Sequence, residues 1–115
     1  QDMYHQLSGF QSYPMSVLVV SQSFAKNHPL ALAAVLKAYE ESVAWVNADP
    51  KAAGQAIEAA GIMASAMATP AIPFCNLVFV PSQEAKADVQ AYFSFLHGFN
   101  PASIGGTIPS DDLYL

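Results

Sequence analysis

The sequence predicts a mainly α chain with one or two short strands. Three observations carry that expectation. An apolar stripe of helical period follows Pro29, a second helix start of the same kind stands at Asp49-Pro50, and a β-branched run, SVLVVS, occupies residues 16–21. Residues 1–13 read as a lead-in, and 14–115 as a strand followed by helices.

The run after Tyr13-Pro14 is apolar and uncharged, which suits a short strand buried on both faces, and the strand is expected over Val17–Val20. Pro29 then supplies the fixed φ and missing N–H that fit a first helical turn, with Asn27 or His28 placed to cap it. Leu32, Val35, Leu36, Tyr39, Val43 and Val46 fall on one stripe, with Trp45 at its edge, so the longest helix is expected from near Pro29 to near Asn47. Asp49 caps a second, shorter helix that runs to Gly61, a residue suited to a left-handed terminus. The Ala- and Met-rich stretch 62–69 adds a helical turn or two before Pro70, which is expected to stop it. FCNLVFV lies between Pro73 and Pro81 and reads as extended chain without a place in a central strand. Ser82 is expected to cap the last long helix, whose stripe is Val89, Tyr92, Phe93 and Leu96 and whose end is Gly98. Asn100-Pro101 opens one further turn before Gly105-Gly106, and the tail TIPSDDLYL has no period.

Composition narrows the function classes. The 115 residues are 53% hydrophobic and 11% charged, with four lysines, no arginine and a net charge of -5. Four scattered cations make no basic stripe for phosphates, which argues against nucleic-acid binding. The longest uncharged stretch, Ala59 to Gln83, is interrupted by Pro70, Pro73 and Pro81, so no spanning helix is expected. QDMYHQLSGF has neither a positive region nor an apolar core and is no signal peptide. It also lacks an initiating Met, and the poverty of charge is what a chain starting inside a larger protein would have.

Catalytic chemistry finds little support. A lone cysteine, Cys75, forms no internal disulfide, and with His5, His28 and His97 it makes no zinc spacing, so neither metal nor cofactor is expected. Flanked by apolar residues, Cys75 reads as a buried small hydrophobe and not as a nucleophile with His97 as base. Glu40-Glu41 and Asp111-Asp112 are adjacent in sequence, so each pair points apart and reads as solvated charge. Gly105-Gly106 lacks the strand, spacing and lysine of a phosphate loop. Tyr13, Ser16 and Asn76 lie at the ends of the extended segments, where polar side chains reach a cleft, and are the candidate ligand contacts; closing a turn is the plainer role for each.

Four segments in order, YPMSVLVVSQSFAKNHP, LKAYEESVAWVNADPKAA, AIPFCNLVFV and FNPASIGGTIPSDDLY, resemble extracytoplasmic solute-binding proteins of ABC importers, in their nitrate, sulfonate, taurine and thiamine-precursor branch. The pattern W-x-N-x-x-P at residues 45–50 and the closing F-N-P-x-S-x-G-G-x-x-P at 99–109 carry most of the likeness. The resemblance runs from Tyr13 to Tyr114 and corresponds to about the last third of such a protein. It implies a two-lobed, doubly wound α/β clamp of the type II periplasmic-binding-protein kind, in which this chain returns to the first lobe. One departure is that Phe74 stands where similar sequences carry a basic residue. With no arginine present, recognition of an anion would fall to another part or to helix N-termini.

The resemblance implies a non-catalytic component, periplasmic or otherwise extracytoplasmic, that takes a small-molecule solute between two lobes and hands it to an ABC permease. Two alternatives stand beside it: an enzyme built on the same clamp, as in menaquinone-pathway or pyrimidine-synthesis relatives, and a sensory or interaction domain. The small charge count also leaves apolar surface exposed on a chain of this size. A homodimer is therefore expected, formed through the 17–20 strand and the apolar faces of the Leu32–Val46 and Val89–Leu96 helices.

Overall fold

The computed structural model describes residues 2–9 and 13–115, and the chain packs as two compact units, Gln1–Val19 with Val80–Leu115, and Val20–Phe79. It is mainly helical. The helices are α1 (Asp2–Ser8), α2 (Gln22–Asn27), α3 (Pro29–Ala48), α4 (Pro50–Ala59), α5 (Ser65–Ala71) and α6 (Ser82–Phe99), with 3-10 turns at Ile72–Phe74, Pro101–Ile104 and Asp111–Leu113.

In the unit Val20–Phe79, each helix boundary has a local cause. The Ser21 side chain accepts the Phe24 N–H at 3.2 Å and starts α2. Pro29 is the first residue of α3, although His28 caps it without a side-chain hydrogen bond. Asp49 ends α3 and begins α4, its carboxylate accepting the Ala52 N–H at 2.9 Å ahead of Pro50. Gly61 takes φ +71°, and the bonds Gly61 N–H to Glu58 C=O and Ile62 N–H to Ile57 C=O close the paired motif that a left-handed residue allows at a helix end. The small core of this unit is Ala53, Ala68 and Ile72, where α4 meets α5 and the turn after it. On α3, Leu32, Leu36, Val43 and Val46 of the expected stripe are half-buried, whereas Val35 and Tyr39 stay exposed.

In the other unit, α6 is the main element, and its stripe of Val89, Tyr92, Phe93 and Leu96 is half-buried as the period required. Tyr4 of α1, 8% exposed, is the buried residue among the described residues of the unit. After α6 the chain folds back along it. His97 Nε2 lies 3.3 Å from the Gly106 carbonyl, Gln90 donates to Asp111 at 3.1 Å, Lys86 pairs with Asp111 at 2.8 Å, and the Ser82 hydroxyl donates to the Leu115 carbonyl at 2.6 Å. These four ties are spaced along the helix from its last turn to its first.

Several expectations are corrected. Val17–Val20 forms no strand; among the described residues there is none, and this run has no regular structure and leaves Val17, Leu18 and Val19 exposed. A strand exists only as a ladder with a neighbour, so β-branched residues alone do not make one. Pro70 does not stop α5 but sits inside it, and the chain tightens into the 3-10 turn at once. Packing of α5 on α4 outweighs the hydrogen bond that a proline forfeits this near a helix end. Ser82 is the first helical residue and Pro81 the cap, its hydroxyl being engaged by Leu115 instead. Helix α6 passes through Gly98 and ends at Phe99, because Asn100 precedes Pro101 and is held extended, with φ −156° and ψ 98°. Residues 1–13, read only as a lead-in, contain α1, and His5 lies on that helix. Of FCNLVFV, read as extended, Phe74 belongs to the 3-10 turn, Cys75 to a bend and Asn76 takes a left-handed φ, while Asn76–Val80 has no regular structure. Asn47 ties it to α3 by donating to the Leu77 carbonyl at 2.9 Å, and Phe79 meets Tyr39 edge-on.

Candidate functional site

Of the three candidate contacts, Tyr13 belongs to a built cluster. Its ring stacks on Tyr92 of α6, with centroids 5.4 Å apart, and meets Tyr4 of α1 edge-on at 5.0 Å. Tyr4 in turn makes edge-to-face contacts with Tyr92 and Phe95 at 5.7 and 5.5 Å. Such pairs favour one another beyond simple burial, which is how three separate chain segments are held together here. The Tyr4 hydroxyl is buried and has no hydrogen-bond partner among the described residues.

Ser16 is exposed in the same unit as Tyr13. Asn76 belongs to the other unit, exposed and at φ +49°, the left-handed region that asparagine tolerates better than most residues. The sequence did not point to Tyr4 or Phe95. A Tyr at residue 4 followed by Leu at 7, with an aromatic-rich α6 to receive them, was the available signal.

Beside the cluster lies an apolar hollow of about 410 Å³ lined by Met3, Leu7, Phe95, Leu96 and Phe99, with Asn100 and Ser103 supplying its polar groups. A second hollow, about 400 Å³, lies in the other unit between α4 and α5, where Lys51, Gln55, Ser65 and Thr69 contribute polar groups. Near it Glu58 accepts the Ser65 N–H at 3.2 Å, and hydrogen bonding from Ser65 holds its carboxyl below the usual range.

The groups considered for catalysis are engaged locally. The Cys75 thiol is exposed, which corrects the buried reading, and donates to the Ala71 carbonyl at 3.4 Å. His97 is paired with the Gly106 carbonyl, and His28 lies against Phe24. Glu41 pairs with Lys37 at 3.8 Å on the surface of α3. Lys86, by its hydrogen bond and charge, keeps the Asp111 carboxyl low, and the same ammonium stands 5.6 Å from the Tyr114 ring. Burial pushes the Tyr114 phenol up. Among the described residues no three His, Cys, Asp or Glu side chains gather as a metal site, and no helix is long and apolar enough to cross a membrane. The arrangement offers apolar and aromatic surface for binding.

Comparison with protein-family models, with curated proteins and with solved structures finds no match to this chain.

Proposed function

We propose that this chain is the returning segment of a solute-binding protein that encloses a small molecule between two lobes and delivers it to an ABC permease outside the cytoplasm. One observation carries the reading: an uncharged β-branched run, Val17–Val20, has no ladder partner among the described residues and leaves Val17, Leu18 and Val19 exposed, directly ahead of α2, α3 and α4. Such a run has the composition of a strand buried on both faces, and a sheet supplied by another part of a clamp would bury it. The W-x-N-x-x-P and F-N-P-x-S-x-G-G-x-x-P patterns agree with that reading. In the folded segment the first fixes the α3–α4 junction through Asp49 and Pro50, and the second fixes the α6 exit through Asn100 and Pro101.

Tyr13, Ser16 and Asn76 remain the proposed solute contacts, each beside a segment without regular structure. Within such a clamp the ligand is enclosed by both lobes, so one segment contributes few contacts and binds nothing tightly alone. Calorimetric titration with nitrate, alkanesulfonates and pyrimidine thiamine precursors tests this. The complete gene product is expected to bind one of these classes with micromolar or tighter affinity and to release it unchanged, while the 115-residue chain shows no heat. Tight binding by the chain alone, or chemical turnover of the ligand by the complete product, would overturn the proposal.

A further inference from the structure

The chain has five tyrosines, at residues 4, 13, 39, 92 and 114. Among the described residues one tyrosine pair is stacked: the rings of Tyr13 and Tyr92 lie 17° from parallel with centroids 5.4 Å apart. Tyr4 stands at 66° to Tyr13 and at 72° to Tyr92, so it meets both of them edge to face. Tyr39 meets Phe79, and Tyr114 lies beside the Lys86 ammonium. Tyr4, Tyr13 and Tyr92 all belong to the unit Gln1–Val19 with Val80–Leu115, so the geometry of the stack is set inside that unit.

Stacked phenols are placed for a reaction that edge-on phenols are not. One-electron oxidation takes an electron from the ring and the proton from the hydroxyl, and leaves unpaired density on the ring carbons ortho to the oxygen. Two such radicals join through their ortho carbons, which requires the rings to lie alongside one another. Near-parallel rings reach that arrangement by a small slide, whereas rings at the angles Tyr4 makes must first turn. The hydroxyl proton also needs an acceptor. Tyr13 and Tyr92 are half-buried, so water can take it from them. The Tyr4 hydroxyl, buried with no hydrogen-bond partner among the described residues, has no such exit.

We propose that Tyr13 and Tyr92 are an oxidative modification site, coupled by a one-electron oxidant into a dityrosine within the chain. Each phenol gives up one electron and one proton, the two ortho carbons form a bond, and the hydrogen on each joined carbon returns to its own ring oxygen, which restores both phenols. Two electrons and two protons leave for each bond made. The oxidant, of the class of persulfate or a high-valent metal complex, takes the electrons, and solvent takes the protons. Because the two rings are already neighbours, coupling is intramolecular and outruns coupling to a second chain at micromolar concentration. The bond ties residue 13 to α6 and closes a loop that contains the whole Val20–Phe79 unit, which restricts the unfolded chain as any cross-link over a long loop does. It does not depend on the solute-binding reading.

Photo-oxidation of the 115-residue chain at micromolar concentration, with a ruthenium tris-bipyridine complex and persulfate, tests the proposal. The expected product is a single chain of the 12.2 kDa species, lighter by two hydrogen atoms, with blue dityrosine emission and with residues 13 and 92 recovered in one cross-linked peptide. Tyr13→Phe and Tyr92→Phe keep a ring in the stack and remove its phenol, and each should lower the intrachain yield by about tenfold or more. Tyr4→Phe and Tyr39→Phe should leave the yield unchanged. An absence of dityrosine, dityrosine formed only between chains, or an intrachain yield that survives Tyr13→Phe or Tyr92→Phe would overturn the proposal. So would its loss in Tyr4→Phe with the helical circular dichroism retained.

Discussion

A methyl group at Gly54 would collide with the Thr69 hydroxyl and stand 3.1 Å from the Thr69 backbone nitrogen and 3.2 Å from its Cβ. The hydroxyl can rotate away, but the backbone of α5 cannot do so without shifting the whole α4–α5 contact. Alanine normally gains about 1 kcal/mol over glycine inside a helix, and overpacking a tight contact costs about 1–3 kcal/mol. Because Ala53 and Ala68 beside it are among the buried residues of this unit, the packing cost should prevail. Gly54→Ala is expected to destabilise by about 1 kcal/mol, read as a lower urea midpoint. A raised midpoint would mean that the two helices separate easily. This close approach could not be read from KAAGQAIEAA, where Gly54 looks only like a weak helix position. The Asp49-Pro50 start a few residues earlier was legible, because a capping carboxylate and a proline act on their own turn.

At the scale of elements, that difference between local and distant causes decides what the sequence disclosed. The bounds of α3, the half-buried stripe on α6 and the turn after Asn100-Pro101 follow from neighbours within a few residues. The strap formed by residues 100–115 follows from pairs far apart in sequence: Lys86 with Asp111, Gln90 with Asp111, Ser82 with Leu115. TIPSDDLYL has no period because its order comes from α6 and not from itself. Lys86 holds Asp111 below the ordinary aspartate value of 3.8, so the contribution of this carboxylate is fully present above that pH and is lost as pH falls through the lower value of the folded chain. The amides of residues 111–115 should therefore show protection, relative to the intrinsic exchange rate at each pH, that is present at neutral pH and is lost as pH falls below 3.8. Asp111→Asn should lack that protection already at neutral pH. Equal exchange in the two proteins at neutral pH would assign the docking of the tail to Ser82 and Tyr114 alone.

At the scale of the whole molecule, the chain leaves exposed the surfaces that a larger assembly would use. The 17–20 run was read as a strand from β-branched composition, yet a strand is a property of two segments, and the described chain supplies one. The candidate contacts show the same limit: Tyr13 found partners in Tyr4 and Tyr92, while Ser16 and Asn76 stay exposed. If this chain completes the sheet of a solute clamp, the backbone N–H groups of Val17–Val20 acquire ladder partners only in the complete protein. Hydrogen exchange of those four amides, compared between the 115-residue chain and the complete gene product, measures this directly. The account predicts exchange near the unprotected rate in the chain and strong protection in the complete protein; equally fast exchange in both would contradict it.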